Sequence, residues 1–120
     1  MLLAMFIMLF LLLVGHAIAD FALQSDAMAK GKNRHNKSEP PPGAKPQVCW
    51  YYWLTAHALI HGGVVWLVTG LWIFGLMETI AHWLIDFGKC ENWYGIHEDQ
   101  LMHLLCKLFY ILILAVVMFL

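Results

Sequence analysis

His16 and Asp20 stand four residues apart, as do His57 and His61. Glu78, His82 and Asp86 repeat the interval, and so do Asp99, His103 and Lys107. Four residues along an α-helix turn the side-chain direction by about 400°, so each set shares one helix face. Imidazole and carboxylate are ligands for zinc, manganese and iron. Two metals sharing Glu and His ligands from four helices is the arrangement of soluble di-iron bundles. The expected cofactor is one or two divalent ions, zinc, manganese or iron. The expected ligands are His16, Asp20, His57, His61, His82, Asp86, Asp99 and His103. That set leaves groups over to orient the ligands. Metal-bound water is a nucleophile at neutral pH, and the metal polarises the group to be cleaved. Glu78 or Asp99 is the expected general base. Lys107, on the face of Asp99 and His103, is expected at the catalytic centre, where it or Lys89 holds a phosphate.

These faces need four elements to carry them. A spanning helix takes roughly 20 mostly apolar residues. The sequence predicts helices over about 1–24, 50–69, 71–88 and 99–120. Gly70 marks a short turn, and residues 89–98 a short polar connection. Residues 25–48 carry Lys, Asn, Ser and the run Pro40, Pro41, Pro42, and are read as a loop rather than a helix. The expected fold is all-α, a single membrane domain built as a four-helix transmembrane bundle with both termini on one side. Only helices and closed barrels satisfy their backbone in lipid.

Composition supports a membrane protein. The chain of 120 residues is 62% hydrophobic and 12% charged. Soluble domains are about a quarter charged, so a soluble domain and a broad basic nucleic-acid face are both excluded. A disordered chain is excluded by the apolar content. Residues 25–48 hold five of the seven Lys and Arg: Lys30, Lys32, Arg34, Lys37 and Lys45. With Lys89 they place both polar connections on the cytoplasmic side and both termini outside. Trp50, Tyr51, Tyr52, Trp53, Trp93 and Tyr94 suit an aromatic belt at that interface. The loop charges are read as topology and attraction to anionic lipid, about 1 kcal/mol each. Depth along the helices then brings the His and carboxylate sets into one layer in the cytoplasmic half of the bilayer. Cys49, Cys90 and Cys106 are odd in number without a C-x-x-C pair, so free thiols are expected. Thiolate ligation by Cys90 or Cys106 is the lesser alternative.

A cleaved leader competes for the first segment, since Ala17-Ile18-Ala19 before Asp20 has the small residues of a cleavage site. The segment lacks a positive n-region, and cleavage discards His16, so a retained helix is the reading carried forward.

Further segments extend the pattern: His16-Ala-Ile-Ala-Asp20-Phe21-Ala-Leu23-Gln24, His57-Ala-Leu-Ile-His61-Gly62-Gly63, His82-Trp83-Leu84-Ile85-Asp86-Phe87-Gly88-Lys89-Cys90 and Asp99-Gln100-Leu-Met-His103. Together, over nearly the whole chain, they resemble a bacterial and phage membrane-protein family known as domain of unknown function 3307. The resemblance implies a small integral membrane protein and supplies no reaction. It places the chain in the bacterial inner membrane as a multi-pass protein, or in the host inner membrane for a phage-encoded chain. More loosely, the H-x-x-x-D pairs are similar to those of inner-membrane metal-dependent hydrolases. The leading expectation is a metal-dependent membrane hydrolase acting on a phosphate-bearing lipid. The alternative is a small membrane effector without catalysis: holin-like, or conducting protons or metal ions. A structural protein with a polar core is a third reading. Membrane lipids are the expected partners, a homo-oligomer is left open, and no nucleic acid is expected.

Overall fold

The computed structural model describes residues 1–36 and 39–120. Lys37, one of the charges assigned to the cytoplasmic loop, lies outside the described residues. The described residues form five α-helices: α1 (Leu2–Ala17), α2 (Asp26–Gly31), α3 (Trp50–Thr69), α4 (Trp72–Cys90) and α5 (Ile96–Phe119). No strand occurs among the described residues. The four long helices form a closed ring, α1 beside α3, α3 beside α4, α4 beside α5 and α5 beside α1.

The first helix does not run on as an α-helix to its end. From Ile18 to Ala22 it widens into one π-helical turn, closed by Leu23 N donating to the Ile18 carbonyl at 2.8 Å. Such insertions are rare and favour functional sites. Here the wide turn carries Asp20.

Residues 26–31 correct the expectation of a continuous loop. Ser25 Oγ accepts from Met28 N at 3.1 Å, and Lys30 pairs with Asp26 at 2.8 Å one turn earlier. A serine N-cap, an acid in the first turn and a base in the last are enough to set a short helix. Met28 is buried, and so is Lys32 just past the helix.

Gly70 adopts a left-handed φ of 72° and ends α3, its N–H donating to the Trp66 carbonyl at 2.8 Å. The chain turns back at once into α4. Gly62 and Gly75 lie where α3 and α4 cross. A Cβ on Gly75 would stand 2.8 Å from the Gly62 carbonyl oxygen and 2.9 Å from Trp66 Cβ, so this approach requires glycine. Between α4 and α5, Asn92 takes a positive φ of 59°, and Tyr94 donates to the Ile85 carbonyl. Glu98 Oε2 accepts from Gly95 N at 3.1 Å and starts α5 three residues before Asp99.

The bundle is polar inside and apolar outside. Leu67 is 84% exposed, and Leu3, Phe10, Phe21 and Leu112 are exposed too, while Glu78, His82, Asp86 and Lys107 are buried. That inversion suits hydrocarbon rather than water as the surrounding medium. By length and hydropathy two helices qualify to cross a membrane, Leu2–Ala22 and Ile96–Phe119. The expectation was four. Helices α3 and α4 are 20 and 19 residues long but do not qualify, because histidines and carboxylates occupy inward positions that apolar residues would otherwise fill. Leu12, Val65, Phe74 and Tyr110 form the apolar core beside the polar one, with Phe74 and Tyr110 stacked at 5.2 Å.

Candidate metal centre

Each long helix sends its four-residue repeat to the axis of the ring. Helix α1 supplies His16, and its π turn Asp20; α3 supplies His57 and His61; α4 supplies Glu78, His82 and Asp86; α5 supplies Asp99, His103 and Lys107. His16 keeps slight exposure, and the other nine are buried. Five imidazoles meet there. The rings of His61 and His82 stack at 3.6 Å and those of His82 and His103 at 4.1 Å, with His57 4.9 Å from His82 and His16 5.2 Å from His61 and from His103.

The carboxylates bridge the imidazoles. Asp20 Oδ1 lies 3.2 Å from His57 Nε2 and 3.5 Å from His61 Nε2. Asp86 Oδ1 lies 3.2 Å from His103 Nε2 and 3.6 Å from His82 Nε2, and its Oδ2 lies 3.4 Å from His57 Nε2. Glu78 Oε1 is 3.4 Å from His82 Nδ1, and Asp99 Oδ1 is 3.5 Å from His103 Nε2. Most of these separations exceed a good N–H···O bond. They match the distance between two ligands on one tetrahedral ion, about 3.4 Å for bonds of about 2.1 Å.

Hydrogen bonding leaves four of these atoms over, His61 Nε2, His82 Nδ1 and Nε2, and Asp99 Oδ1, together with three further imidazole nitrogens, Nδ1 of His16, His57 and His103. Among the described residues, all seven are buried without a partner. Buried polar atoms are nearly always paired, so each one is a cost unless something binds it. Three groups of donor atoms lie within 4.8 Å of one another: Asp20, His57, His61 and His82; Glu78, His82 and His103; Asp86, Asp99 and His103. All the expected ligands except His16 fall in these groups. No cysteine belongs to them, and Cys49, Cys90 and Cys106 are free thiols.

Two lysines enter the centre. Lys107 is bound to Glu78, whose other oxygen accepts from Tyr110 at 2.9 Å. This places Lys107 beside the apolar core. Lys32 donates to Asp86 Oδ2 at 2.5 Å and is itself buried. Lys89, at the rim, lies 3.7 Å from Asp99 Oδ2 with a third of its side chain exposed.

Three of these partners were not assigned to the centre from sequence. Lys32 sits in the basic stretch, where its charge reads as topology. Tyr110 lies one turn past Lys107 but carries no charge to single it out. Gln100 is adjacent to Asp99 and off its face by the four-residue rule, yet its Nε2 reaches Asp20 Oδ2 at 2.8 Å and Asp99 Oδ2 at 3.1 Å. Its Oε1 lies 3.1 Å from His16 Nε2, which ties the histidine to the centre through an amide.

Outside the bundle, Glu91 is held by Arg34 at 2.5 and 2.9 Å and by His35 at 3.0 Å. Those bonds, Arg34 first, lower its pKa to about 2.

The family described as "Protein of unknown function (DUF3307)" matches residues 8–120. No curated protein and no solved structure matches the chain, so the looser likeness to metal-dependent hydrolases gains no support.

Proposed function

The chain belongs to the DUF3307 family, and from that premise we propose that it is an integral membrane protein built around an intramembrane metal centre that serves hydrolysis. In this reading all four long helices cross the bilayer, with residues 25–48 and 91–95 on the cytoplasmic side. The short α3 and α4 are accommodated because their polar positions face the ring and not the lipid. In this reading the first helix is kept, since it carries His16, which Gln100 ties to the centre.

The observation that carries the reading is the set of unpartnered imidazole nitrogens facing carboxylate oxygens at ligand-to-ligand distances. Asp20, His57, His61 and His82 form one position. Asp86, Asp99 and His103 form a second. Bound divalent metal supplies an acidic water and a Lewis acid. Of the two carboxylates considered as base, Glu78 is engaged at both oxygens by Lys107 and Tyr110, while Asp99 Oδ1 has no partner. With the first position alone filled, the proton-accepting role therefore falls to Asp99, and Glu78 lies between Lys107 and His82. The substrate in this reading is a phosphate ester, most simply that of a membrane lipid.

Conduction of protons or ions is the competing reading. It needs a polar path to the far side, and Leu12, Val65, Phe74 and Tyr110 fill the neighbouring layer with packed apolar side chains. That layer favours a closed site over a path.

Elemental analysis of detergent-purified protein tests the proposal. One or two equivalents of zinc, manganese or iron are expected, reduced in His82→Ala, with phosphatase activity lost in both His82→Ala and Asp99→Asn. A folded wild-type protein without stoichiometric metal would overturn it.

A further inference from the structure

A cavity of about 370 Å³ opens where α2, the end of α4 and the start of α5 come together. Lys32, Lys89, Asn33, Asn92, Tyr94 and Gln24 are among its lining residues. No Asp or Glu lines it among the described residues. Both ammonium groups connect it to the metal centre: Lys32 touches Asp86 at 2.5 Å and Lys89 lies 3.7 Å from Asp99. An ammonium carries three donors, and Asp86 uses one of those on Lys32. Gln24 donates its Nε2 to the Asp20 carbonyl at 2.9 Å and leaves a buried Oε1 unpartnered. The cavity thus offers two cations, several amides and one vacant acceptor, within the size range of a small-molecule pocket.

We infer that this cavity is a phosphate-binding vestibule, in which Lys32 and Lys89 hold the phosphoryl oxygens of a phosphate monoester next to Asp86 and Asp99. The two ammonium groups supply charge-assisted hydrogen bonds to the oxygens. Gln24 Oε1 accepts from a hydroxyl, either that of monohydrogen phosphate or one on the esterified group. Lys32 is a buried lysine that binds rather than a surface charge that sets topology. The inference deepens the hydrolase reading and rests on it for its catalytic sense, but phosphate binding is measured apart from metal and from turnover.

The test is calorimetric titration of the full-length protein in detergent with inorganic phosphate. Wild type is expected to bind. Lys89→Gln, at a partly exposed position that leaves the fold intact, is expected to weaken binding about tenfold or more. Lys32→Gln should do the same and Lys32→Arg should restore much of it, while Lys45→Gln, outside the cavity, should not change it. No binding by wild type, or equal binding by wild type and Lys89→Gln, overturns the inference. Glycerol phosphate and short-chain phosphatidic acid distinguish the source of the ester: tighter binding of the lipid assigns a headgroup, equal binding a soluble phosphate. Metal is assayed in the same samples. Metal without phosphate binding removes the vestibule and leaves the metal centre; phosphate binding without metal removes the hydrolase reading and leaves the vestibule.

Discussion

His61 and His82 lie face to face, their ring centroids 3.6 Å apart and their planes within 20° of parallel. They come from adjacent helices, and His61 Nε2 and both nitrogens of His82 lack hydrogen-bond partners. His82 belongs to two of the three donor groups, whereas His61 belongs to one. The two positions should therefore separate by mutation. His82→Ala is expected to empty the first position, His61→Ala to lower affinity there, and Asp99→Asn to lower it at the second. Elemental analysis after dialysis reads the equivalents retained. Chelator should also lower the thermal midpoint of wild type, and lower that of His82→Ala less, because a ligand bound only by the folded state stabilises by mass action. An equal chelator response in both proteins would remove the metal as a stabilising ligand.

Much of this centre was legible in the sequence because helical spacing is a rigid ruler. His57 with His61, or Glu78 with His82 and Asp86, can share a face only one way. The ruler fails where the backbone departs from it or where the chain folds back. The π turn at Ile18–Ala22 sets the direction of Asp20 and has no composition signature. Helix α2 carries its own cap in Ser25 and Asp26, yet the neighbouring prolines dominate the reading of residues 25–48. Lys32 reaches Asp86 across 54 residues, a contact that periodicity does not encode. Four spans were expected from apolar length, and hydropathy supports two, since the positions that build the site lower the hydropathy of α3 and α4.

The Glu78–Lys107 pair makes a stability prediction. Both side chains are buried, and Tyr110 donates to the second Glu78 oxygen at 2.9 Å. Removing one member of a buried pair strands the other charge, at a cost of roughly 3–5 kcal/mol. Glu78→Gln and Lys107→Met should each destabilise by that order, and the combination Glu78→Met with Lys107→Met should recover much of the loss. Tyr110→Phe should cost about 1–2 kcal/mol, one hydrogen bond to a charged acceptor. Unfolding in mixed micelles with increasing denaturing detergent ranks the four. A double variant no better than the singles would mean that the pair is needed for more than its charge balance.

The glycines along the α3–α4 pair divide into two kinds. A Cβ on Gly62 would run into Thr79 and the Gly75 carbonyl, and one on Gly75 into the Gly62 carbonyl at 2.8 Å, whereas Gly63 has nothing within 4 Å. Gly75→Ala should push α3 and α4 apart, costing about 1–3 kcal/mol as overpacking does. That displacement would also loosen His61 against His82, so metal affinity should fall with stability. Gly63→Ala should be neutral or stabilising by up to about 1 kcal/mol, the helix-propensity difference. Paired measurements of thermal midpoint and metal affinity check both; a Gly63→Ala protein as damaged as Gly75→Ala would remove the close crossing as the cause.

Glu91 links the segment after α2 to the end of α4 and carries a pH dependence. Arg34 and His35 hold its pKa down at about 2, against an ordinary 4.5. A carboxylate with a depressed folded-state pKa stabilises the contact above its unfolded value and loses that contribution as pH falls toward the folded one. The tether should therefore be intact above about pH 4.5 and weaken between about pH 4.5 and about pH 2. Arg34 is a guanidinium cation throughout, so protonating Glu91 removes the charge that its two hydrogen bonds are made to. Hydrogen exchange at Asn36, whose N–H donates to the Asn33 carbonyl at 3.1 Å, reports the release. Protection corrected for intrinsic exchange should fall across that window in wild type. In Glu91→Gln it should already be low at neutral pH and stay flat; a wild-type profile equally flat would show that Glu91 does not hold the segment.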